Sequence, residues 1–168
     1  MKDMQIPYRK PGKYSQEPFD PYITEAKFKE LESKLAQLTK KRPKLAMEVS
    51  RLAEMGDFSE NVEYQLAKGR LRGINNMIMR LEHQLNHSTI IKTGKETGVV
   101  NIGSIVTVLS KNQEKVYQIL GSSEINPEKG IISHSSPIGS ALLGHREGET
   151  VQVSLKDREL EYKIVKIR

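Results

Sequence analysis

The 168-residue chain contains no cysteine and no tryptophan, and aromatic residues make up only 5% of it. Without cysteine there is no disulfide framework and no cysteine-based zinc site. No apolar run approaches the roughly 20 residues of a membrane-spanning helix, so no membrane partner is expected. Met1 to Tyr14 carries positive charge but no apolar stretch, which is not the make-up of a secretory signal. A cytoplasmic location is the expectation. Apolar residues amount to 36% and charged ones to 29%, so elongated surface should outweigh deep core.

The charge that is present is uneven. Of the net +6, residues 24–92 hold +4, and the segments on either side hold +1 each. A basic excess on one segment points to a polyanion or an acidic protein cleft. A solvated helical surface rich in Lys and Arg is the plainer explanation.

That same segment carries two apolar stripes. One runs through Phe28, Leu31, Leu35, Leu38, Leu45, Val49 and Leu52, the other through Tyr64, Ala67, Leu71, Ile74, Ile78, Leu81 and Leu85. Spacings alternating between three and four are the seam of a coiled coil. Pairing from the middle outward joins 52 with 64, 49 with 67, 45 with 71, 38 with 78, 35 with 81 and 31 with 85, each pair summing to 116. The fold-back centre is therefore Phe58. An antiparallel helical hairpin follows, with an acidic loop at its far end. Arg42 falls on the seam opposite Ile74, which should make that layer the weak one, and Pro43 beside it should kink the first helix locally.

The domain boundaries follow from composition and period. Residues 1–23 hold four prolines interspersed with Tyr8, Tyr14, Phe19 and Tyr22, and are expected to be an extended leader. Disorder or docking of those aromatics would both suit such a segment. The hairpin is assigned to 24–91, with Thr24 as N-cap and an acidic tip at 54–63. Its first arm, from Thr24 to Glu54, is roughly 45 Å long at the helical rise. The second should start near Ser59 to Asn61 and run to about His87. A linker at 92–98, within the Ile90–Gly98 connector, leads to a second domain at 99–168. There the period falls to two, with strands expected at 104–109, 115–120, 130–134, 150–155 and 160–167 and a short helix over Pro137–Gly144. The fold class is α+β: a helical coiled-coil hairpin, then a small antiparallel β domain with one short helix.

The tip holds the chemistry. Glu54, Asp57, Glu60 and Glu63 put four carboxylates within ten residues. Capping of the second helix by Asp57 or Ser59, with Glu60 and Glu63 complementing its dipole, would account for some of them. It does not account for all four at the end of an arm that needs little stability. Asp57 and Glu60, three apart in the turn, can face one outer point. Two converging carboxylates suit a hard cation such as Mg²⁺, but only as part of a ligand set completed by another molecule. Completion of a two-metal phosphoryl-transfer centre fits that requirement.

The run Gly56-Asp57-Phe58-Ser59-Glu60-Asn61, with Glu63-Tyr64, resembles the tip of the bacterial Gre transcript-cleavage factors (the GreA/GreB type). Lys41-Arg42-Pro43 and Lys68-Gly69-Arg70-Leu71-Arg72 are similar to that family's hairpin arms, and Ile132 to Gly144 to its C-terminal signature. The likeness covers roughly residues 24–168. It implies a factor that passes its hairpin through the secondary channel of bacterial RNA polymerase and meets the nascent RNA 3′ end of a backtracked complex. The polymerase then cleaves its own transcript; the factor is not an enzyme alone. By position, Asp57 and Glu60 would hold a Mg²⁺ shared with the polymerase, with Ser59 a secondary contact, and no cofactor would bind the factor stably by itself. Gly56, Phe58, Asn61, Glu63 and Tyr64 would shape the tip. The resemblance also implies an FKBP-like C-terminal domain and a monomer. A leader of about 23 residues exceeds the family's usual start. Two other functions remain open: a channel-binding inhibitor that stimulates no cleavage, and a coiled-coil RNA-binding or adaptor module.

Behind the tip, Lys40, Lys41, Arg42 and Lys44 lie beside Arg70 and Arg72 by the mirror rule and form a basic collar suited to RNA phosphates or the channel wall. His83 and His87, one helical turn apart, lack a third metal ligand and are expected at the surface. His134 and His145 have no partner with catalytic spacing. With only Tyr117 and Tyr162 as aromatics, the second domain is a poor match to a prolyl-isomerase pocket.

Overall fold

The computed structural model describes residues 19–55, 62–94, 98–155 and 158–168. In chain order the elements are β1 (Tyr22–Thr24), α1 (Glu25–Glu54), α2 (Val62–Asn86), β2 (Thr89–Ile91), β3 (Ile105–Ser110), β4 (Gln113–Leu120), β5 (Ile131–Ser133), α3 (Pro137–Leu142), β6 (Thr150–Leu155) and β7 (Arg158–Ile167).

Thr24 caps α1 as the sequence suggests: its side chain accepts a bond from the Lys27 backbone N–H at 3.1 Å. Glu25 in the first turn and Arg51 in the last suit the helix dipole. Pro43 lies inside α1, which runs on through it to Glu54. α1 and α2 pack against each other as a hairpin. The last residue of α1, Glu54, and the first of α2, Val62, lie symmetrically about position 58, where the pairing rule put the centre.

Burial along the seam is not uniform. Leu31, Ile78 and Leu81 are buried near the root and Leu52 and Ala67 near the tip. Between them Leu38, Leu45, Leu71 and Ile74 are only half-buried, and Arg42 is exposed. The charged layer opens the middle of the seam, as a guanidinium that keeps its hydration must.

Gly69 and Gly73 face open space, so an added Cβ would meet nothing within 4 Å. Glycine in a helix interior costs conformational entropy without return here. Gly69→Ala and Gly73→Ala are each expected to stabilise the protein by about 0.5–1 kcal/mol. A higher urea midpoint at unchanged slope would show it.

Two short strands close the root of the hairpin. β1 pairs in parallel with β2, in register Tyr22 with Thr89 and Thr24 with Ile91. Ile90 and Ile91, expected to start a connector, thus belong to the strand Thr89–Ile91, because Tyr22–Thr24 offers it a ladder that only the folded chain brings near. Ile23, between them, is fully buried against Leu31 and Leu81, with Phe28, Leu35, Leu38 and Leu85 around it.

The C-terminal sheet has strand order β5-β4-β3-β7-β6. It is antiparallel except at one edge, where β4 and β5 run parallel, so the expected antiparallel domain is mixed. The reason is the connection. The chain leaves β4 at Leu120, passes through short 3₁₀ turns at Ser122–Glu124 and Pro127–Lys129, and doubles back so that β5 starts beside Gln118 and runs the same way. β3 and β4 are joined by a two-residue turn with Lys111 at φ 50° and Asn112 at φ 63°, the positive pair that matches strand twist. Val106, Val108, Ile119, Val153 and Ile164 fill the core, and α3 closes it with Leu142.

Candidate functional site

α1 and α2 bring the chain out to its distal end and back, with exposed Glu54 and Glu63 flanking the fold-back. Gly56, Asp57, Phe58, Ser59, Glu60 and Asn61 lie outside the described residues. Tyr64 is half-buried at the top of the seam, and the Lys68 ammonium sits 5.7 Å from its ring centroid. By the pairing rule its place opposite Leu52 makes it the outermost seam layer. Among the described residues no cluster of three His, Asp or Glu side chains is arranged to hold a metal.

Lys40, Lys41, Arg42, Lys44, Arg70 and Arg72 are all exposed, and none of the six is in an ion pair among the described residues. Arg70 and Arg72 flank the seam residue Leu71 on either side. At 100° per residue they project to opposite flanks of α2, so the basic groups do not form one stripe.

The histidines have structural work. His83 and His87 are exposed and stacked with ring centroids 4.2 Å apart, and Phe19 places an edge on both, at 5.5 and 6.4 Å. Tyr117 and Tyr162 meet each other edge to face at 6.4 Å, Tyr162 in the core and Tyr117 packed against it.

The root of the arm holds polar contacts that sequence reasoning missed. Asp20 Oδ2 accepts from the Ser122 backbone N–H at 2.6 Å and lies 3.0 Å from His134 Nε2. Asp20 Oδ1 accepts from the Tyr22 N–H at 3.1 Å. The Thr24 hydroxyl donates to Glu124 Oε1 at 2.6 Å, and the Thr24 N–H donates to Glu124 Oε2 at 2.7 Å. The Tyr22 ring stands edge-on to His134, centroids 5.5 Å apart. One clue existed: an aliphatic before an N-cap and an aromatic at the fourth helical position, here Ile23 and Phe28, form the hydrophobic staple that fixes how a chain enters a helix.

Burial pushes the Asp20 carboxyl up, but the bonds from Ser122 and Tyr22 and the charge of His134 outweigh it, and the net shift is downward. A carboxyl lowered on folding contributes stability above its unfolded pKa, about 4, and loses it as the pH falls through the folded value. Wild-type protein should therefore lose stability relative to Asp20→Asn below about pH 4. Urea melts at stepped pH would read it, and the substitution separates Asp20 from its neighbours His134 and Glu124.

A family model described as "Transcription elongation factor, N-terminal" matches residues 21–90. A second, "Transcription elongation factor, GreA/GreB, C-term", matches residues 95–168. The transcription elongation factor GreA of Staphylococcus epidermidis is 37% identical over 150 residues, covering 87% of this chain and 95% of that protein. This chain belongs to the GreA/GreB family. GreA of Lachnoclostridium phytofermentans agrees, at 34% identity over 87% of this chain and 94% of its own length. Among solved structures, GreA factor homolog 1 (Gfh1) of Thermus thermophilus matches at 26% identity with a TM-score of 0.40, covering 87% and 97% of the two chains. The assignment to the GreA/GreB family rests on the sequence matches, which take in both the hairpin and the sheet domain.

Proposed function

We propose that this protein is a transcription elongation factor whose hairpin enters the secondary channel of RNA polymerase and stimulates the polymerase's own cleavage of backtracked RNA. The observation that carries this is the arm itself: a helical hairpin roughly 45 Å long, on a GreA/GreB-family chain, with Asp57 and Glu60 in the short connection between Glu54 and Val62. An arm of that length reaches an active centre that the sheet domain cannot approach.

Asp57 and Glu60 supply hard oxygen donors and are only part of a ligand set, which fits a Mg²⁺ shared with the polymerase and not one stored on the factor. When bound there, the ion supplies Lewis-acid activation of a water for attack on the RNA phosphodiester. The carboxylates would orient that water and accept hydrogen bonds from it. Ser59 would add a neutral polar contact. The collar of Lys40, Lys41, Arg42, Lys44, Arg70 and Arg72 would meet RNA phosphates or acidic channel wall on more than one side of the arm. Catalysis then belongs to the complex, with the factor contributing part of the site.

The test is purified protein added with Mg²⁺ to a stalled, backtracked elongation complex. Release of a 3′ RNA fragment and resumed synthesis are expected. Unchanged transcripts with inhibited synthesis would identify a channel blocker instead.

A further inference from the structure

We propose that residues 19–24 and 121–134 form a clasp that fixes the direction of the arm relative to the sheet domain, with Asp20, Thr24, Gly121 and Glu124 as its positioning residues. The chain itself joins the two parts once, through the connector after β2, which includes Gly94 at φ 74° and Gly98 at φ 68°. With one covalent connection between the two parts, contacts elsewhere must set the angle between them. The angle matters because the arm is a lever: a 10° swing at its root would carry the end of a 45 Å helix about 8 Å sideways. Misplacement of reacting groups by about 1 Å can already cost 100-fold in rate.

The clasp has the contacts needed to prevent that swing. Its hydrogen bonds join residues 100 to 114 positions apart, from Thr24–Glu124 to Asp20–His134. They are partly buried, so water competes for them less than at an open surface. Thr24 is shared, since its hydroxyl caps α1 through Lys27 while donating to Glu124. Movement of Glu124 is thereby tied to the first turn of the arm. Gly121 gives independent support. Its φ of −71° is open to any residue, so its backbone conformation does not require glycine. What requires it is space: a Cβ there would fall 1.8 Å from the Tyr22 carbonyl oxygen. The sheet domain approaches residues 19–24, the strap over the root of the arm, backbone to backbone at that point.

The geometric claim stands apart from the proposed function; its effect on cleavage rests on it. As the chain has no cysteine, Ser50→Cys on α1 and Ser154→Cys on β6, both exposed, give a clean pair for spin labels. Pulsed dipolar spectroscopy on the full chain should show one narrow distance. Gly121→Ala and Asp20→Ala should each broaden or shift it. Asp20→Asn, which keeps an oxygen acceptor for Ser122, should restore part of it. Gly69→Ala, in open space, should leave it unchanged. If Gly121→Ala loses the sheet domain's circular dichroism, Asp20→Ala decides alone. An unchanged distance in the folded clasp variants overturns the clasp. With backtracked polymerase, they should lose about tenfold in cleavage rate at saturating protein, with little change in the half-saturating concentration. A broadened distance with undiminished cleavage would overturn its role in aiming the tip. Absence of cleavage with the parent protein would overturn the functional reading and leave the clasp standing.

Discussion

Asp57→Ala and Glu60→Ala are each expected to lower stimulated RNA cleavage about 100-fold or more, the scale of losing one preorganised charged contact at a reacting centre. Binding to polymerase should stay close to wild type. The two acids lie in the connection between Glu54 and Val62, beyond the last paired layer of the seam at Leu52 and Tyr64. Removing them takes nothing from the seam or from the basic collar, which together provide the arm's stiffness and its charge. The decisive comparison is cleavage rate at saturation against affinity for the stalled complex. If both fall together, the acids serve the shape of the turn and not the chemistry. Ser59→Ala should show a smaller loss, because a neutral hydroxyl contributes less than a carboxylate to holding a divalent ion.

Ile23→Ala should produce the largest loss of stability of any single change considered. Ile23 is fully buried and lies where three parts of the chain meet: the strap, the first turns of α1 and the last turns of α2. Truncating a buried isoleucine to alanine costs about 2–5 kcal/mol, more where the cavity cannot collapse. Here β1 is held on β2 on one side and by the Asp20 and Thr24 contacts on the other, so collapse is restricted. A urea midpoint that falls with little change in slope would confirm it. A change below about 0.5 kcal/mol, typical of surface positions, would mean that the strap does not pack in solution as it does here.

Those two predictions mark how far the sequence could be read. The hairpin was legible because a coiled-coil seam writes its partner into the spacing, and Glu54 and Val62 bound the turn that the pairing rule located. The sheet strands were legible too, since Val106 and Val108, and Val151 and Val153, turn inward at every second position between less buried neighbours. Ile23 was not. It sits among prolines and polar residues in a segment whose composition suggests an extended tail, and its burial depends on β2, more than 60 residues later. The partners of Asp20 are later still, and no local pattern announces a contact over 100 residues. The parallel β4–β5 edge escaped for the same reason: strand direction is set by where the intervening turns take the chain. In the site, the acids were visible as residue types and the collar as charge. The root that would aim them was visible only in three dimensions.

The mirror rule also constrains how such an arm can change its reach. Every seam layer is a pair of positions summing to 116, so residues inserted into α1 alone would offset each layer on the root side of the insertion. Length can grow or shrink only in step, one heptad on each helix, or about 10.5 Å at a time. The arm is a ruler with coarse graduations, and the depth at which it presents its acids is inherited in whole heptads.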